Sequence, residues 1–220
     1  MSKYELHDAC YAGDLALVKI FLQDSGESVN IPGPKKRTPL HYASKGNHPD
    51  IASLLISSGA NMEARTAYKM TPLHVAAFYG SAAVVERLIT KYEVELNASD
   101  FGAWTPLHYS CHYNWPEVSL LLIKHGASLS VKSAELQYVA IHLAARAGDL
   151  PTVKALVAKG ANVNKRNSLR LTPLHLACQN NNTDVVRYLL EQGASSDIRD
   201  EAGITPAQLT RRQEILDLLK

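Results

Sequence analysis

The stretch TPLHYASKGNHPDIASLLISSGA, residues 38–60, reads as a capped turn followed by two short helices. Thr38 suits a helix N-cap, where its hydroxyl accepts a bond from a free backbone N–H. Pro39 suits the next position, where no N–H is needed. Leu40 then enters the core, and Asn47 ends the first helix, because Asn and Gly enter the left-handed conformation most easily. Pro49 stands at the start of a second apolar-periodic segment, DIASLLI, which Gly59 and Ala60 close.

The same pattern returns along the whole chain. TPLH occurs at 38–41, 71–74, 105–108 and 172–175, with VAIH at 139–142 and TPAQ at 205–208. Their first residues lie 33, 34, 34, 33 and 33 positions apart, and 34 back from His41 is His7. Seven repeats follow, at approximately 1–32, 33–65, 66–99, 100–133, 134–166, 167–199 and 200–220, in a single domain spanning 1–220. Six residues after the His comes Gly13, Asn47, Gly80, Asn114, Gly148 or Asn181, and Gly-Ala closes the second helix at Gly59, Gly126, Gly160 and Gly193. No repeat of this size buries its apolar face alone, so stacking must supply the core. The ends read as caps. The first repeat lacks Thr-Pro, and the last is shortened, carries Gln208 in place of His, and offers Arg211, Arg212 and Gln213 as a wet outer face.

Composition excludes several classes. A net charge of +2 from 23 basic and 21 acidic residues gives no case for a nucleic-acid partner. No run approaches the 18 apolar residues of a membrane span, so no membrane partner is expected. The opening MSKYELHDAC has no signal-peptide layout, which makes cytoplasm and/or nucleus the expected location.

His108, Cys111 and His112 share one helix face and resemble metal ligands. The repeat explains them otherwise. His7, His41, His74, His108, His142 and His175 all occupy one repeat position, as expected of a buried ring bonded to the neighbouring loop. Cys10, Cys111 and Cys178 each lie three residues later, where other repeats have Ser44, Ala77 and Ala145, so they stand in for small core residues. At roughly 10 Å per repeat, no two of them come within disulfide reach. No metal, no cofactor and no catalytic residue is expected, since HExxH, a phosphate loop and a GxSxG elbow are all missing. The sequons at 97–99 and 181–183 mean little without a secretory signal.

The pattern TPLHxAxxxG/N…LLxxGAxxN at a 33-residue period resembles the ankyrin repeat, over the whole chain. The resemblance implies an all-α repeat solenoid of seven stacked ankyrin repeats, with β-hairpin-like tips and capping terminal repeats. It implies a non-catalytic protein-binding module, and also that the tips and the end of the first helix line a concave groove. In that frame the candidate partner-binding residues are Lys35, Lys36, Arg37 and Lys45 in the second repeat, and Tyr68, Met70, Phe78 and Tyr79 in the third. Trp104, His112, Tyr113 and Trp115 follow in the fourth, and Tyr138 and Arg146 in the fifth. Trp, Tyr and Arg are the residues most enriched in hot spots. Phe101 and Trp115 either face the groove or pack between repeats.

The opening MSKYELHDACYAGDLALVKIFL and the run WPEVSLLLIKHGASL look like the yeast counterpart of gankyrin; AIH in the fifth repeat and TPLHLAC in the sixth look like gankyrin. Those proteins are assembly chaperones of the 26S proteasome regulatory particle. The resemblance implies that the groove clasps the C-terminal domain of a base AAA ATPase subunit, with Arg37 matching a basic residue that meets acidic partner residues, and that the protein is a monomer on its own. A family lysine five residues after the fourth His is Tyr113 here. The other reading open at this stage is an ankyrin adaptor or effector of another pathway, binding a different protein.

Overall fold

A computed structural model describes residues 5–24 and 28–220. The first four residues of the opening stretch, and residues 25–27 at the end of the first repeat, lie outside the described residues. The chain divides into two compact units, one ending at Phe101 and the other beginning at Gly102. Both are all-helical, with no strand among the described residues.

The N-terminal unit holds α1 (Glu5–Ala12), α2 (Leu15–Asp24), α3 (Pro39–Gly46), α4 (Pro49–Ser57), α5 (Pro72–Tyr79) and α6 (Ala82–Lys91). The C-terminal unit holds α7 (Pro106–His112), α8 (Pro116–Lys124), α9 (Ala140–Ala147), α10 (Leu150–Ala158), α11 (Pro173–Gln179) and α12 (Thr183–Glu191). It ends in a 3₁₀ turn, Pro206–Leu209, and α13 (Gln213–Leu218). Helices this short are unstable alone, since isolated helices below roughly 12–15 residues are marginal in water. Packing stabilises them. Within each of the first six repeats the two helices pack as a pair. First helices pack on first helices, α1 on α3 on α5 and α7 on α9 on α11, and second helices form a parallel row, α2 on α4 on α6 and α8 on α10 on α12. Leu40, Leu55, Leu73 and Leu88 fill the N-terminal core; Leu107, Leu122, Ile141, Leu156 and Leu174 fill the C-terminal one.

The punctuation read from the sequence has its physical counterpart. Asn47, Gly80, Asn114, Gly148, Asn181 and Gly13 all have positive φ, and so do Gly59, Gly126, Gly160 and Gly193. The buried His does more than fill space. Its Nδ1 accepts from the N-cap backbone N–H (3.1 Å at Thr38, 3.2 Å at Val139) and its Nε2 donates to a carbonyl of the following loop. Those lateral bonds are His7 to Ile31, His41 to Met70, His108 to Tyr138, His142 to Lys165 and His175 to Ile204, at 2.9–3.2 Å. His41, His108, His142 and His175 thus each cap their own helix and tie it to the linker that leads into the next repeat. In the last repeat Gln208 performs the first task alone, accepting from Thr205 N–H at 2.9 Å.

The tips are turns rather than strands. A backbone bond closes the hairpin-like turn at Gly33–Arg37, Thr66–Met70, Ser133–Tyr138, Asn167–Leu171 and Asp200–Ile204, and another joins a tip to the one before: Ala67 to Lys35 O, Phe101 to Tyr68 O, Ala134 to Gly102 O, Ser168 to Leu136 O and Glu201 to Leu169 O. The two ends differ in polarity. Arg211, Arg212 and Gln213 are exposed as expected, whereas the first repeat leaves Leu17 and Ile20 in solvent, Ile20 at 52% exposure.

Candidate partner-binding surfaces

Four residues past the repeat His, the first helix presents a side chain away from the core. In the N-terminal unit those side chains are Tyr11, Lys45 and Phe78, with Tyr79 adjacent. Lys45 Nζ lies 4.5 Å from the Tyr11 ring centroid and 5.3 Å from that of Tyr79, so two aromatic faces hold one ammonium. Phe78 packs on Tyr79 at 4.8 Å. The tips repeat the theme. Lys35 Nζ lies 5.4 Å from the Tyr68 ring and Lys69 Nζ 4.7 Å from Phe101, which is 64% exposed. Lys35, Lys36 and Lys69 all adopt positive φ, so left-handed backbone aims these side chains. Lys35, Lys36, Arg37, Lys45 and Lys69 form no ion pair with any described residue, which leaves a basic aromatic surface without internal compensation.

The corresponding face of the C-terminal unit is aromatic. Trp104 is half-buried, 5.0 Å from Tyr109 and 5.1 Å from His112 between ring centroids. Tyr113, one helical turn beyond Tyr109, stacks parallel to it at 6.5 Å and meets His112 edge-on at 4.8 Å. Burial, and then the positive charge of Arg146, hold the His112 pKa below its ordinary value, so this ring is neutral at pH 7. Arg146 is exposed and supplies the charge of the patch. Tyr138 is half-buried with its ring 5.8 Å from His142, and Trp115, before Pro116, is 40% exposed.

One candidate departs from expectation. Met70 is only 8% exposed, and its carbonyl is the one that His41 bonds. The position directly before the N-cap is at least half-covered in every repeat that has one (Arg37, Met70, Trp104, Tyr138, Leu171, Ile204), and the unbranched Met chain lies down into it. Met70 is therefore scaffold. Phe101 and Trp115 both have open faces in solvent. Three residues of these surfaces lie outside the set expected from the sequence. Tyr11 and Lys69 sit at the same repeat offsets as Lys45 and Lys36 and are legible by register; Tyr109, one residue after the His, carries no such signal.

The would-be metal ligands are spoken for. His108 bonds Thr105 and Tyr138, Cys111 is fully buried 3.8 Å from Ser119 Oγ, and His112 packs on Trp104. Burial pushes the Cys10, Cys111 and Cys178 thiols up to about 12, so none is a thiolate at neutral pH. Among the described residues no group of three or more His, Cys, Asp or Glu is placed to hold a metal ion. No helix among them is long and apolar enough to cross a membrane.

Comparison with known proteins agrees with this architecture. The family model "Ankyrin repeats (3 copies)" matches residues 6–100, 95–167 and 141–219. The chain is 29% identical over 178 residues to "Probable 26S proteasome regulatory subunit p28" of Saccharomyces cerevisiae, covering 79% of this chain and 78% of that protein. It is also 29% identical over 164 residues to "Putative ankyrin repeat protein L371" of Acanthamoeba polyphaga mimivirus, but spans only 20% of that protein's length. Among solved structures, the ankyrin repeat domain of Bcl-3 superposes with a TM-score of 0.82 at 26% identity, covering 98% of this chain and 97% of that one. Such repeats are a typical non-catalytic scaffold for binding other proteins.

Proposed function

Because the chain belongs to the ankyrin-repeat family, we propose that it is a non-catalytic assembly chaperone of the 26S proteasome regulatory particle, working in the cytoplasm or nucleus. Its partner in this reading is the C-terminal domain of a base AAA ATPase subunit. The observation that carries the proposal is the likeness to yeast p28, which runs through nearly four-fifths of both chains. The mimivirus protein, by contrast, shares only a fifth of its length. The surfaces are compatible with that role. Uncompensated Lys35, Lys36, Arg37, Lys45 and Lys69 suit an acidic partner, and Trp104, Tyr113, Tyr138 and Arg146 are hot-spot residue types on the other unit. Three buried, unpaired cysteines accord with a reducing compartment.

The test is binding of the purified chain to isolated C-terminal domains of the base ATPases. Selective binding of one of them at micromolar concentration or tighter is expected; no binding to any at low salt ends the proposal, and capture of an unrelated protein instead would favour an adaptor of another pathway. Arg37→Glu should slow association about tenfold at low salt and leave dissociation nearly unchanged, the behaviour of a steering charge at an interface rim. Stopped-flow rates at two ionic strengths check this, and an unchanged association rate would remove the basic tip from the surface.

A further inference from the structure

Two asparagines act as clamps between successive linkers. Asn30 Nδ2 donates to Gly59 O at 3.0 Å, while its Oδ1 accepts from Asn61 N–H at 2.7 Å. Asn164 does the same with Gly193 O at 3.1 Å and Ser195 N–H at 2.9 Å. Glu63, at the same register, keeps the accepting half, from Glu95 N–H at 3.0 Å. A carboxamide suits this task because it holds one donor and one acceptor side by side in a plane.

Ser130 breaks the series. It stands four residues after Gly126, as Asn164 stands four after Gly160, but its hydroxyl reaches only as far as the Cγ of asparagine. Its Oγ lies instead 3.3 Å from Ser128 Oγ. The groups it would bridge are Gly160 O and Asn162 N–H, the register counterparts of Gly193 O and Ser195 N–H. Among the described residues Gly160 O accepts no bond and Asn162 N–H donates none, and both residues are exposed. At this place the structure has a cavity of about 190 Å³, walled by Leu129, Ser130, Val139, Ile141, the loop residues 160–162 and Lys165.

We propose that this cavity is a recognition site for a carboxamide, the Asn or Gln side chain of a partner polypeptide, held between Gly160 O and Asn162 N–H as Asn164 is held by the next linker. The chemistry is selective. A carboxylate would set a second acceptor against Gly160 O, and an ammonium would offer nothing to Asn162 N–H. None of the aromatic and basic surface residues described above lines the site, so it stands whether or not the proteasomal partner does.

Acetamide is the probe, titrated into the ¹⁵N-labelled full chain. Saturable shifts of the Asn162 amide are expected, with a Kd on the order of tens of millimolar, the range open to so small a ligand. Acetate, which the Lys165 ammonium attracts but the Gly160 carbonyl repels, should give a clearly weaker response. Ser130→Ala leaves the cavity open and should keep the response. Ser130→Asn supplies the clamp from within, so it should abolish the response and raise the Tm by about 2–4 °C. The proposal is overturned by shifts that never saturate, by an equal response to acetate, or by a response that survives in Ser130→Asn.

Discussion

Unfolding free energy should fall steeply as the pH drops from about 6.5 to about 4, and histidine is the cause. Burial pulls the His41 pKa from 6.5 down to about 4, against the Met70 carbonyl, which favours the protonated ring. His142 falls to about 4 for the same reason, against the carbonyls of Lys165 and Leu171. His175 and His112 are shifted the same way, chiefly by burial. The sign follows from proton counting. Between the two pKa values the unfolded chain binds protons that the folded chain refuses, so stability present above the unfolded value is lost as pH falls toward the folded one. His41 and His142 are each worth on the order of 3 kcal/mol, a large share of an ordinary domain's stability. Urea titrations at pH 7.5, 5.5 and 4.5 measure it; equal stability at all three would mean that these rings accept protons while folded.

The second large effect is expected from His142→Ala, about 3 kcal/mol at pH 7. Truncation takes the acceptor from Val139 N–H and the donor from the Lys165 carbonyl, and leaves a hole where the ring stood. The loss should shrink toward pH 4, because the variant no longer carries a ring that resists protonation. His142→Gln separates the two tasks. Gln208 shows that glutamine can cap its own helix, so this variant should recover the capping part and lack the lateral bond. Denaturant melts of the three proteins at pH 7 and pH 4.5 decide it, and a gap that stays constant with pH would count against the linkage.

The scaffold was legible in the sequence because its determinants are local. A Thr cap, a Pro at the first helical position, a His three residues on and a left-handed Gly or Asn each act within a single turn, and all stand where the spacing put them. The binding surfaces were legible only by register. Offset from the His marked Lys45, Phe78, Tyr79, His112 and Arg146, but not which way a side chain before the cap would lie. Met70 shares the register of surface residues and is nevertheless buried. The asparagine clamps escaped because their partners lie 29 to 31 residues away, in the next repeat.

The single backbone bond between successive tips gives each interface its own gauge. Ala67, Phe101, Ala134, Ser168 and Glu201 are all exposed residues, yet the amide of each is bonded to the tip before it. Their hydrogens exchange with solvent only when that one junction parts. Five amides thus time the opening of five separate seams, and a bound partner would show which of them it holds shut.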